Sequence, residues 1–234
     1  MLFGQLRAEL ARTDRSVSDK ALLVTQRILD RTGLEPRVTV SRRVIVEIRQ
    51  PPKPFRGMRD LVVRRGSDRD VDALSAIDDT DPQLVRERLA RGELAYVGEA
   101  DGEVLCHTWF HAGPAPFDED RASCTGWALD DGTYWSFNGA SRVDARTSGV
   151  FVKLFQEALR DVFEGHGARR VQGFILDRNQ PSILMHQRMG FAILGTLFTA
   201  AVDPMKWLRW TGDGKSRQWV LARNDQQPLA FPPL

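Results

Sequence analysis

Arg146-Thr147-Ser148-Gly149 stands directly before a run in which Val150, Leu154, Phe155, Leu159 and Val162 recur at helical spacing. The spacing predicts a helix that opens at Gly149 and runs to about Phe163, with Gly165 and Gly167 to stop it. A helix start exposes N–H groups without intrahelical partners and carries partial positive charge. Arg146 and the amides that follow it therefore suit a phosphate or pyrophosphate. A second stretch, Asn179 to Phe191, reads N-Q-P-S-I-L-M-H-Q-R-M-G-F and follows the apolar run Val171 to Leu176. Asn-x-Pro-Ser is a helix-start pattern, so two to three helical turns are expected, with Gly190-Phe191 leading into a strand.

Together the two stretches resemble the GNAT superfamily of acyl-CoA N-acyltransferases. Asn179, Ser182, Gly190 and Phe191 fall where that family has an Asn, a small residue three positions later and a terminal Gly-Phe around the helix that flanks coenzyme A. Arg146 and Gly149 fit its Arg/Gln-x-x-Gly-x-Gly/Ala loop, whereas Phe151 departs from it, a bulky ring where a small residue is expected. The resemblance covers about Asp60 to Arg223. It implies an α/β fold, the acyl-CoA N-acyltransferase fold, with a mostly antiparallel sheet splayed at a bulge.

The same resemblance implies acetyl-CoA as co-substrate and no metal. Its contacts would come from Arg146, Thr147, Ser148, Gly149, Val150 and Phe151, from Asn179 and Ser182, and from the main chain at Ser141 and Val143. Seven residues after Asn179, many relatives carry a Tyr that protonates the departing thiolate; His186 stands there and is expected to take that role. An imidazolium is a stronger acid than a phenol, with a smaller protonated fraction at neutral pH. The plainer reading of His186 is a partly exposed side chain on an amphipathic helix. Asn138, near the end of an aromatic strand, is expected to bind the acceptor, although its amide cannot act as a base.

The expected reaction is transfer of an acetyl or other short acyl group from acyl-CoA to an amine of a small molecule, sugar precursor or protein by direct attack. The alternative is a non-catalytic acyl-CoA sensor or scaffold, suggested by Phe151 and the missing Tyr. For a general base the sequence offers Asp144, Glu99, Glu103 and His107. His107 and His111 lie on a segment that reads as a strand, so an i, i+4 zinc pair is not expected. The Trp207, Arg209, Trp210, Arg217 and Trp219 cluster reads first as a closing hairpin and otherwise as a stacking surface for sugars or bases.

Hydrophobic residues make up 42% and charged residues 27% of the 234-residue chain, ordinary values for a globular protein. Residues 1–56 carry 12 Lys/Arg against 6 Asp/Glu. That basic arm gives no strong nucleic-acid signal; it suits a membrane surface or an acidic partner, or is simply a solvated face. A homodimer is left open. A helix is expected over Lys20 to Arg31 and a strand over Val38 to Ile48; Pro51-Pro-Lys-Pro54 then reads as a linker. The expected domains are thus 1–56, a small helix–strand extension, and 57–234, the acyltransferase-like unit. Cys106 and Cys124 lack C-x-x-C spacing and the start is no signal peptide, so a cytoplasmic protein is expected.

Overall fold

The computed structural model describes residues 38–55, 57–58, 60–113, 129–146, 149–202, 205–212 and 219–223. The helix expected over Lys20 to Arg31, Cys124, Thr147, Ser148 and Arg217 lie outside the described residues.

In chain order the elements are β1 (Val38–Ile48), β2 (Val62–Arg65), α1 (Val71–Asp78), α2 (Pro82–Ala90), β3 (Leu94–Ala100), β4 (Glu103–Ala112) and β5 (Thr133–Ser141). Then follow α3 (Val150–Glu164), β6 (Arg170–Leu176), α4 (Gln180–Arg188), β7 (Ala192–Val202), β8 (Met205–Gly212) and β9 (Trp219–Arg223). Local chemistry sets the helix starts. Asp81 Oδ1 accepts from Gln83 N at 2.8 Å, with Pro82 in the first turn of α2. Asn179 Oδ1 accepts from Ser182 N at 3.2 Å, with Pro181 in the first turn of α4. Gly149 opens α3 at φ +84°, a left-handed backbone that a β-branched residue would hold only under strain.

The sheet is nine-stranded, in the order β2-β3-β4-β5-β6-β1-β7-β8-β9. Only β5 and β6 pair parallel, so the mostly antiparallel sheet expected is the one that forms. On one face α3 buries Leu154, Phe155, Ala158 and Leu159 with Val44, Val46, Ile48 and Phe110. On the other, Val71 and Leu74 of α1 and Val85 of α2 pack with Ile45, Trp109, Trp135 and Phe137. The Trp/Arg-rich end is a closing hairpin: β8 pairs with β9, and Trp210 is buried against Gly195 and Gly212. Among the described residues no helix is long and apolar enough to cross a membrane.

The division at residue 56 needs correction. β1, expected in a separate extension, is the sixth strand of the sheet and pairs with β6 on one side and β7 on the other. Its Val44, Ile45, Val46 and Ile48 are at most 8% exposed. Alternation in a sequence tells which side chains share a face, not which strand lies alongside. Pro51 to Pro54 end the strand for lack of amide donors, and that reads as a linker; in the fold Pro52 is buried. Among the described residues, 38–48 share one sheet with the later strands and pack into both of its cores.

Candidate active site

The site begins where the two parallel strands part. β5 and β6 pair from Thr133/Arg170 to Ser136/Gly173 and no further, although both strands continue. The cause lies on the other edge of β5. Trp109 faces Phe137 and His107 faces Ala140, so Asn138 and Gly139 together oppose Thr108 alone. This is a β-bulge, with Asn138 in the left-handed region at φ +47°. Past the bulge the facing edges of β5 and β6 lack a strand partner, and a cavity of about 200 Å³ lies between them. Ser136 to Gly139 form one wall and Gly173 to Leu176 the other; Asn179, which caps α4, Ser182 and His186 of α4, and Phe151 and Phe155 of α3 line the rest.

The start of α3 lies beside this cleft. Its first intrahelical bond is Lys153 N to Gly149 O at 3.2 Å, so the amides of Val150, Phe151 and Val152 precede the ladder. Lys153 Nζ donates to the carbonyls of Met58 (2.7 Å) and Leu61 (2.6 Å), tying their loop alongside the helix. Met58 reaches Gly149: a Cβ built there would lie 3.2 Å from Met58 Cε.

His186 departs from the partly exposed side chain considered above, being only 8% exposed. Its ring centroid lies 5.1 Å from that of Phe155 and 4.9 Å from that of Phe191. Nδ1 donates to the Ser182 carbonyl at 2.8 Å, which fixes the tautomer and leaves Nε2 as an acceptor. Burial pushes the imidazole below its ordinary range, against the opposing pull of the Ser182 carbonyl. Burial thus lowers the protonated fraction of His186 at neutral pH further below that of a free imidazole.

Comparison with known proteins adds the fold's identity. No protein-family profile and no curated protein matches the chain. Among solved structures, it is similar to a GCN5-related N-acetyltransferase from Kribbella flavida, with a TM-score of 0.53 at 14% identity, over 75% of this chain and 63% of that one. It is also similar to a GNAT-family protein from Novosphingobium aromaticivorans, with a TM-score of 0.50 at 14% identity, over 71% and 66% of the two chains. This is the GNAT fold. The matched region spans just under two thirds of the length of both neighbours.

On the GNAT scaffold the sequence-derived residues gather unevenly. Asn138, Phe151, Asn179, Ser182 and His186 all line the cleft. Asn179 also caps α4, which accounts for an Asn at that position by local chemistry alone. Gly149 and Val150 sit at the helix start; the Val150 side chain is buried in the core, leaving its amide as the group to offer. Arg146 is exposed, its Nε 3.4 Å from the Ser141 carbonyl, and Val143 is 78% exposed at the same end of β5. Phe151 turns its ring inward, stacked on Phe155 with centroids 5.7 Å apart. A Cβ on Gly139 would stand 2.6 Å from that ring, so the missing side chain on β5 makes room for the extra bulk on α3.

The carboxylate candidates for a base are engaged elsewhere. Asp144 and Glu103 both pair with Arg142, and Glu99 pairs with Arg64 at 2.6 Å. Arg142 also holds the Asp144 carboxyl below its ordinary range. His107 is buried on the α1 face, with Nε2 3.5 Å from Asp78 Oδ2. Sequence reasoning missed Val46, Met58 and Thr108. Val46 gave no signal because its strand was assigned outside the domain, and Met58 meets Gly149, 91 positions later, only through tertiary packing.

Proposed function

We propose that the protein is an acyl-CoA-dependent N-acyltransferase that moves an acetyl or other short acyl group to an amine by direct attack on the thioester. The single observation behind the reading is the cleft opened by the Asn138–Gly139 bulge beside the N-terminus of α3. Arg146 and the amides of Val150, Phe151 and Val152 would hold the pyrophosphate of acetyl-CoA. The unpaired edges of β5 and β6 would take the pantetheine arm as an added strand and polarise the thioester carbonyl. Cys106, the one described cysteine, is fully buried, and burial pushes its thiol up to about 12, which disfavours a covalent cysteine intermediate. The acceptor would be an amine on a small molecule, a sugar precursor or a protein.

A neutral His186 suits a shuttle better than a standing acid. As the amine nitrogen bonds to the carbonyl carbon, Nε2 would take the proton that nitrogen must lose. The imidazolium so formed, made more acidic by burial, would pass it to the thiolate sulfur as the C–S bond breaks. The proton returns to solvent with the thiol and His186 is again neutral.

A second reading, a non-catalytic acyl-CoA sensor of the same fold, draws on the ion-paired state of Asp144, Glu103 and Glu99. Acetyl-CoA at ~100 times its dissociation constant is expected to stabilise the protein by about 2.7 kcal/mol under either reading, measured as a rise in melting temperature. Release of free CoA thiol across a panel of alkyl, amino-sugar and peptide amines separates the two. Stabilisation with thiol release supports the transferase; stabilisation with none across the panel supports the sensor; no shift with millimolar acetyl-CoA contradicts both.

A further inference from the structure

Where β5 and β6 part, three facing residues leave a notch in the sheet. Ser136 of β5 faces Gly173 of β6 in the last pair the two strands form, and Gly173 in turn faces Val46 of β1. Directly opposed residues on neighbouring strands turn their side chains to the same face. Strands lie ~4.8 Å apart, so Ser136 and Val46 stand about 10 Å from each other with only the Gly173 backbone between them. That backbone does not call for glycine, since Gly173 is not among the residues with positive φ. A side chain there would close the notch: its Cβ would stand 3.0 Å from the Ser136 carbonyl oxygen and 3.7 Å from Ser136 Oγ.

Ser136, Gly173 and Val46 all line the cleft, and so do Phe155 and Phe191, whose stacked rings have centroids 6.0 Å apart. Val46, Phe155 and Phe191 are buried, whereas Leu176, at the other end of the β6 wall, is 37% exposed. The notch is therefore the closed, apolar end of the cleft. His186, placed to meet the sulfur, has its ring beside those of Phe155 and Phe191, so an acyl group on that sulfur is led toward them. Among the described residues that line the cleft there is no Lys, Arg, Asp or Glu. The whole cleft measures about 200 Å³. An apolar cavity of ~150 Å³ holds one benzene molecule, and here the thioester end of the coenzyme must share the space.

We propose that this notch is the acyl pocket, that it takes an uncharged alkanoyl group of about two or three carbons, and that Val46 is the residue that stops a longer chain. The inference rests on the acyl-CoA reading of the cleft and adds which acyl-CoA it selects. A hexanoyl chain would have to displace Val46 or the stacked rings, in an interior too densely packed to yield. A succinyl group would bring a carboxylate to the closed end with no cation to pair it, at a large desolvation cost.

Calorimetric binding of CoA, acetyl-CoA, propionyl-CoA, hexanoyl-CoA and succinyl-CoA to the full chain tests this without an acceptor. Acetyl- and propionyl-CoA should bind alike, with hexanoyl- and succinyl-CoA at least about 10-fold weaker, one misfitting methylene in an apolar pocket being worth ~10- to 200-fold. Val46→Ala enlarges the notch and should raise hexanoyl-CoA affinity relative to acetyl-CoA about 10-fold. Gly173→Ala fills it and should weaken propionyl-CoA relative to CoA by about the same factor. Hexanoyl-CoA bound by the parent as tightly as acetyl-CoA would overturn the proposal, as would a parental preference in folded Val46→Ala. If Val46→Ala shows no cooperative urea transition, the parental series and Gly173→Ala decide, and a parental propionyl-CoA to CoA ratio in Gly173→Ala overturns it. A parent that binds CoA but ignores acyl length refutes the notch alone; one that binds neither CoA nor any acyl-CoA refutes the acyl-CoA reading and the notch with it.

Discussion

A chain that begins at Pro51, lacking β1, is expected not to fold. Val44, Ile45, Val46 and Ile48 are at most 8% exposed, and burying four such side chains is worth about 6–12 kcal/mol at ~1.5–3 kcal/mol each. That is the order of a domain's entire net stability, roughly 5–15 kcal/mol. The loss would not stop at the core. β1 satisfies β6 from Val171 to Leu176 and β7 from Ala192 to Val202, so its removal opens two unpaired edges in the middle of the sheet. Urea unfolding followed by tryptophan fluorescence checks this, with loss of a cooperative transition and aggregation on size exclusion expected. A truncated chain with a parental unfolding midpoint would show that β1 is dispensable.

The second large effect concerns His186. His186→Gln, which keeps the volume between Phe155 and Phe191, is expected to lower turnover about 10²-fold with little change in acetyl-CoA affinity. His186→Ala should do the same and also destabilise, because it leaves a void in an aromatic cluster. The pH profile carries the sign. The ring must be unprotonated to take the amine's proton, and burial holds its pKa below the ordinary ~6.5. As far as His186 governs it, turnover should be level through neutrality and decline only as pH falls below about 6.5, and that acid limb should vanish in His186→Gln. A standing imidazolium acid would give the reverse, with activity rising as pH falls. Parental turnover in His186→Gln would remove the shuttle and leave proximity and the backbone of the cleft as the machinery.

What was legible in the sequence was local. Gly149 before a helical apolar stripe and Asn179-Gln-Pro-Ser182 before a short helix each carry their chemistry within a few residues, and both helices start where those signals stand. The strand that follows Gly190-Phe191 obeys the same rule. The misplaced features depend on long-range packing. β1 alternates as a strand should, but its partners lie more than 120 positions away. The burial of His186 depends on Phe155, 31 positions earlier, and on a shell of aromatic rings no local pattern announces. Phe151 looked like a departure that would crowd a phosphate loop; it fits because Gly139 on a different strand gives it room.

The cleft also explains why the bulge was expected in kind and missed in position. A β-bulge needs one extra residue on one strand, and Asn138-Gly139 is a sequence that takes left-handed backbone readily. In the notation of turns it would pass for a hairpin signal. Here β5 continues through it to Ser141, and the extra residue turns the strand away from β6 instead of reversing it.

A crystal structure of the full chain with coenzyme A tests most directly whether acyl-CoA occupies the space where β5 and β6 part. The predicted result places the pyrophosphate on the amides of Val150 to Val152 beside Arg146, with the pantetheine arm between Ser136–Gly139 and Gly173–Leu176 and its sulfur near His186 Nε2. Coenzyme A bound elsewhere on the protein, or a cleft that stays empty at millimolar coenzyme A, would contradict it.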